Sequence, residues 1–153
     1  MADAPRYLTV AELIARLGDE AEQLAGTGLR DARQVDEELL VAQLVHADGV
    51  IDGYVRARYP RPFVVVPEVL KGIAHDIARW RLRGKGGQQT AMNDAVQGQY
   101  DEAMRLLRDI QAGRHLLDQD GDGYGPDEAR SVAEAMGGAM PAARMPGTLE
   151  GWR

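Results

Sequence analysis

Three closely spaced prolines, Pro60, Pro62 and Pro67, constrain the shape of this chain more than any other feature. The residue before a proline disfavours the α conformation, and proline itself lacks a backbone donor. A helix arriving at Pro60 must therefore stop there. Pro67 suits the first turn of a following helix, where its missing N–H costs nothing. Phe63 to Val66, in between, reads as a short extended apolar run. On both sides apolar residues recur at spacings of three and four, the period of one helix face. Upstream the stripe is Leu40, Leu44, Ala47, Ile51, Tyr54 and Arg58, widened by Val35, Leu39, Ala42 and Val55. Downstream it is Leu70, Ile73, Ile77 and Trp80, with Ala74 and Ala78 beside it. The pattern predicts two long helices, about Asp31 to Tyr59 and Pro67 to Arg83, joined by a Pro-rich elbow.

Shorter helices flank this pair. Thr9 and Glu12 form a Thr-x-x-Glu capping box, and Leu8 and Leu13 stand where a hydrophobic staple places them. Gly18 is the expected stop. Asp19 and Glu22 repeat the capping pattern for a second short helix that Gly26 and Gly28 end. Val96, Tyr100, Ala103, Leu107 and Ile110 predict a helix from about Met92 to Ala112, stopped by Gly113. Gly84 to Gln89 reads as a loop, and Pro126 opens a last short helix ending near Gly137. Gly49 and Gly53 lie inside the long helix. Each costs ~1 kcal/mol there, which calls for close approach of another helix or chain, or for a break near Asp48. The expected fold is all-α: a small bundle of four to six helices with a Pro-rich elbow and an extended C-terminal tail. One domain is expected over 1–137, with its core in 7–113. Residues 138–153 form a tail that carries Met140, Met145, Leu149 and Trp152, apolar groups suited to docking on a partner.

Composition narrows the function classes. The chain has 153 residues and no cysteine, so disulfide and thiolate chemistry are excluded. No basic, then apolar, leader and no stretch of ~20 apolar residues is expected to target or cross a membrane. Between Val55 and Lys85 stand eight Lys/Arg and two Asp/Glu, a balance of +6. The remaining ten basic and 22 acidic residues carry −12, for a total of −6. Such asymmetry points to partner surfaces, so Arg56, Arg58, Arg61, Arg79, Arg81, Arg83 and Lys85 are candidate partner-binding residues, together with Met145, Leu149 and Trp152. A solvated helix end would give the same charge run.

Catalytic and metal signatures are weak. Asp118, Asp120, Asp122 and Gly123 make the first half of a calcium loop, but position twelve is Ala129, with Glu128 one place early. His46, His75 and His115 show no metal-binding spacing, and His75 and Asp76 are expected on different helix faces. GKGGQQT lacks the order of a phosphate loop, and no nucleophile has a base at a recognised spacing. No enzyme, cofactor or metal is expected.

Four segments in order carry a resemblance: YLTVAELIARLG at Tyr7–Gly18, IDGYVRARYPRPF at Ile51–Phe63, VPEVLKGIAHDIARWRL at Val66–Leu82 and YDEAMRLLRDIQAG at Tyr100–Gly113. Over residues 7–113 the chain resembles the Mu-like phage head–tail connector (adaptor) proteins. The Asp-rich loop and the Gly/Pro tail extend past the usual core. The resemblance implies a helical virion subunit, assembled in the host cytoplasm and located at the neck. It implies a homo-oligomeric ring, typically of twelve copies, beneath the portal protein, with the next connector or tail protein below and DNA passing as non-specific cargo. Three other readings compete: a tail terminator or stopper ring, a calcium-responsive helical binding module, and a DNA-binding helical regulator using the arginines.

Overall fold

The Thr9 capping box forms as the local sequence dictates. Thr9 Oγ1 accepts from the Glu12 N–H, the Glu12 carboxylate accepts from the Thr9 N–H, and α1 runs Val10–Leu17 behind them. Leu8 and Leu13, the staple pair, are both buried. Gly18 ends α1 at φ 56°, ψ −130°, a left-handed region that favours glycine.

The computed structural model describes residues 4–27, 34–59, 62–85 and 94–118, with only the backbone of Lys85. After α1 come α2 (Glu20–Ala25), the two-residue strands β1 (Gly26–Thr27) and β2 (Gln34–Val35), α3 (Glu37–Val55), α4 (Glu68–Lys85) and α5 (Asp94–Gln111). The strands pair antiparallel, Gly26 with Val35 and Thr27 with Gln34. The helical-bundle expectation holds over the described residues, with this small sheet added.

Several boundaries differ from the periodicity. α3 starts at Glu37, not near Asp31, because Gln34 and Val35 pair with β1 and Asp36 caps the helix through Leu39 N–H. Asp19 is not a side-chain cap. It sits in the α region, whereas a capping side chain needs an extended N-cap to reach back to the helix. α3 passes unbroken through Gly49 and Gly53, and a Cβ at either would meet nothing within 4 Å. No described helix approaches those glycines that closely. α4 continues one residue past Gly84, and Pro67 stands just before it, its carbonyl accepting from Leu70 and Lys71. The last predicted helix, 126–137, and the tail, 138–153, lie outside the described residues.

Long-range contacts set the arrangement. Gln43, early in α3, meets Arg81, late in α4. Trp80, late in α4, stacks on Tyr100 of α5 at 4.3 Å and donates to Gln97. The α5 terminus returns to the α3 terminus, where Leu117 N–H donates to Tyr59 Oη. α3 and α5 therefore run parallel, with α4 antiparallel to both. Leu40, Leu44, Ala47, Ile51 and Val55 of α3 face Leu70, Ile73, Ile77 and Leu82 of α4 and Ala103, Leu107 and Ile110 of α5 in one buried core. Each fully buried Leu or Ile contributes roughly 1.5–3 kcal/mol relative to exposure. α5 ends in a Schellman turn: Gly113 N–H bonds the Ile110 carbonyl, Arg114 N–H bonds that of Asp109, and Gly113 adopts φ 75°.

Candidate interaction surfaces

The bundle has two ends. One gathers the C-termini of α3 and α5, the elbow and the start of α4. The other gathers the N-termini of α3 and α5, the end of α4 and the small sheet.

The three α4 arginines, Arg79, Arg81 and Arg83, turn inward. Glu20 of α2 accepts from Arg79 Nε and Nη2, both at 2.8 Å, and from Arg83 Nη2 at 2.5 Å. Arg79 also donates to Gln99, and Arg81 Nε donates at 3.0 Å to the buried side chain of Gln43. These bonds hold Glu20 below its ordinary value, the Arg79 hydrogen bond first among the causes, against burial that pushes it up. Further along the same helix Lys71 pairs with Glu12 at 2.8 Å, and Arg16 pairs with Glu68. The Lys71 hydrogen bond, followed by those from Thr9, lowers Glu12 to about 2. α4 is thus clasped to α1 and α2 by charge. Pairing leaves these cations less able to meet another chain.

At the elbow end the cations differ. Arg56 and Arg58 are exposed and form no ion pair among the described residues. The Arg58 guanidinium lies over Gly113, where an added Cβ would come within 2.5 Å of it. Arg61, Met145, Leu149 and Trp152, and the Lys85 side chain, lie outside the described residues. So the structure divides the predicted cluster in two: Arg79, Arg81 and Arg83 face other helices, and Arg56 and Arg58 face solvent.

Beside Arg56 the N-terminal arm crosses α3. Asp48, buried in the helix, accepts from Arg6 N–H at 2.6 Å and Tyr7 N–H at 3.4 Å. One turn on, Asp52 accepts from Tyr7 Oη at 2.5 Å and Arg6 Nη1 at 2.8 Å. Burial pushes the Asp48 carboxyl up, and the two backbone donors oppose it. Arg6, Tyr7, Pro62, Phe63 and Val66 line an open cleft of about 520 Å³. Phe63 sits 6.2 Å from Tyr7 and 6.4 Å from Tyr59 between ring centroids. Next to the cleft Val64 is 85% and Val65 50% exposed, and Val69 and Leu116 are exposed at the same end. The expected extended run after Pro62 is therefore apolar surface at Val64 and Val65, with only Phe63 and Val66 packed inward. At the opposite end Glu37, Glu38 and Asp94, all exposed, begin α3 and α5.

His75 and Asp76 correct an expectation. Although neighbours on a helix diverge by about 100°, Asp76 Oδ1 reaches His75 Nδ1 at 2.9 Å. Among the described residues no three His, Asp or Glu side chains converge as a metal site would require. Asp120 and Asp122 of the calcium-like loop lie outside the described residues. Among the described residues no helix is long and apolar enough to cross a membrane.

The family model described as Bacteriophage Mu, Gp36 matches residues 7–135, which is 129 of the chain's 153 residues. The chain belongs to this family. The Gp36 match takes in the arm at Tyr7, the elbow and all five helices, so both ends of the bundle lie within it. No curated protein matches the chain. Membership in the Gp36 family makes this a protein of Mu-like phages with a role in phage structure or morphogenesis.

Proposed function

We propose that this Gp36-family chain is a head–tail adaptor, a structural subunit that closes into a ring between the portal and the next connector or tail component. The observation that carries this reading is the unlikeness of the two bundle ends. One presents exposed valines with Arg56 and Arg58, the other Glu37, Glu38 and Asp94. Rings close through heterologous contacts, in which one surface meets a different surface of the next copy. Complementary charge at the two ends favours such a contact and disfavours like-to-like pairing. The internal use of Arg79, Arg81 and Arg83 fits DNA as passing cargo, because a channel that held phosphate strongly would retard it. The subunit acts by shape and contact, not by catalysis, and its place is the virion neck.

Native mass measurement of the purified chain, alone and with its portal protein, tests the proposal. A closed ring, typically of twelve copies, co-purifying with portal is expected. A monodisperse monomer that does not bind portal refutes it, and a six-fold ring supports the terminator reading instead.

A further inference from the structure

The large apolar side chains exposed among the described residues, Val64, Val65, Val69 and Leu116, all stand at the elbow end. Arg56 and Arg58 stand there too, without an ion pair among those residues. Contiguous exposed apolar groups of this kind mark an interaction site. A surface that fits this one must bring apolar groups and negative charge.

The chain carries such a surface on α3. Between Leu39 and Val55 its only Asp, Glu, Lys or Arg residues are Asp48 and Asp52. The arm takes both: Arg6 N–H and Tyr7 N–H donate to Asp48, and Tyr7 Oη and Arg6 Nη1 donate to Asp52. The helical period puts Ala42, Val45, Gly49 and Gly53 on one face, opposite the buried Leu40, Leu44, Ala47 and Ile51. Ala42, Gly49 and Gly53 are exposed and Val45 is half-buried. α3 is thus apolar on its outer side as well as its inner one, the pattern of a helix that is covered all round. The two glycines flatten that outer side, with nothing within 4 Å of an added Cβ at either. At its start stand Glu38, on the same face, and Glu37, both exposed and without an ion pair among the described residues.

We infer that the outer face of α3 is the seat for the elbow of a second copy of this chain. Arg56 and Arg58 of one copy meet Glu37 and Glu38 of the next, and Val64 and Val65 lie over Ala42, Val45 and Gly49. Two observations name that occupant. The first is complementarity: each surface is apolar, and the unpaired charges beside it are of opposite sign, which favours this pairing over like-to-like contact. The second is distance. Glu38 and Arg56 stand at opposite ends of the unbroken 19-residue α3, about 27 Å apart at ~1.5 Å per residue, so the two surfaces cannot meet within one molecule. A contact between unlike surfaces passes from copy to copy, as a ring requires. The inference rests on the adaptor reading and deepens it, because it places the contact on the side of α3 and gives Gly49 and Gly53 their close approach.

The chain has no cysteine, so introduced thiols report cleanly. Oxidised full-length Ala42→Cys/Val64→Cys should run as a ladder of covalent multimers on a denaturing gel, while each single variant runs as a monomer. Glu102→Cys/Val64→Cys, whose first thiol lies on the exposed side of α5, should cross-link at least about tenfold less, because a disulfide needs Cα atoms within ~7 Å. Equal ladders overturn the inference, and so does a covalent dimer from either single variant, which marks a like-to-like contact. Gly49→Leu reads the seat independently. With nothing within 4 Å of an added Cβ, it should keep the helical circular-dichroism spectrum, yet weaken assembly at least about tenfold by native mass. Unchanged assembly contradicts the seat. Glu37→Arg/Glu38→Arg should also dissociate the copies, and adding Arg56→Glu/Arg58→Glu should bring them back together; failure of that rescue counts against the charge pairing. A ring of native mass that gives no ladder removes this contact and leaves the adaptor reading standing. A ladder from a chain that does not bind portal does the reverse.

Discussion

Replacing Glu20 with alanine tests whether the α4 arginines form an internal clasp. The carboxylate accepts three charge-assisted hydrogen bonds, two from Arg79 and one from Arg83. Its side chain is 28% exposed, and those of Arg79 and Arg83 are 19% and 13% exposed. Removing one partner of a buried pair costs about 3–5 kcal/mol, because the remaining charge is left desolvated. Partial exposure screens the interaction and brings the expected cost to about 2–3 kcal/mol. Urea denaturation measures it directly, as a lower midpoint with an unchanged slope. In a melt the same loss lowers Tm by roughly 4–12 °C at this chain length. The pH dependence adds a second reading. Glu20 is held below the ordinary glutamate value of 4.5, chiefly by the Arg79 hydrogen bond. A depressed carboxylate stabilises the fold above its unfolded value, and that contribution is lost as pH falls through the folded one. The gap between wild type and Glu20→Ala should therefore be full at neutral pH and close on acidification below 4.5. A double-mutant cycle with Arg79→Ala should give a coupling above about 1 kcal/mol. A loss under about 0.5 kcal/mol that simply adds to that of Arg79→Ala would refute the clasp, since such values belong to exposed pairs.

Other perturbations have separate readouts. Glu12, lowered to about 2 from 4.5, stabilises the fold above 4.5 and loses that contribution between 4.5 and about 2, so Glu12→Gln should flatten the acid limb of stability in that window. Asp48→Ala leaves the Arg6 and Tyr7 N–H groups without their acceptor. It should cost about 2–3 kcal/mol and speed amide exchange in the arm at Tyr7 and Leu8. Burial raises Asp48, so folding favours its protonated form, its contribution fades as pH rises above 3.8, and the Asp48→Ala loss should be larger at acid pH than at neutral pH. Gly113→Ala puts a side chain at φ 75°, and the mobile Arg58 guanidinium can yield; backbone strain of about 1–2 kcal/mol should appear as a lower Tm. Arg56→Glu/Arg58→Glu should change stability by no more than about 0.5 kcal/mol while weakening assembly, read by native mass.

The fold was legible where the signal is local. The capping box needs only Thr9 and Glu12, three residues apart, and the α4 and α5 stripes need only the helical period. Leu70, Ile73, Ile77, Leu107 and Ile110 are buried as their spacing predicts. What failed depends on distance or on very short elements. Two pairs of strand residues leave no periodicity to read, so in the sequence Gln34 and Val35 merge with the α3 pattern and hide the Asp36 cap behind them. The Glu20 clasp joins residues 59 and 63 positions apart, which a charge count cannot see. A charge count also groups all seven cations alike, whereas folding directs Arg79, Arg81 and Arg83 towards other helices and leaves Arg56 and Arg58 at the surface. Asp48 and Asp52 sit among apolar positions of α3 and look like solvated charge until the arm is seen crossing them. The exposed valines were equally hidden, because Phe63 to Val66 reads the same whether it faces a core or a partner.

The symmetry of the phage neck tests the adaptor reading most directly. Electron microscopy of virions carrying this protein should resolve it as one closed ring between portal and tail, with unlike surfaces of neighbouring copies in contact and DNA density along the axis. Its absence from the neck, or a ring joined by like surfaces across two-fold axes, would contradict the account.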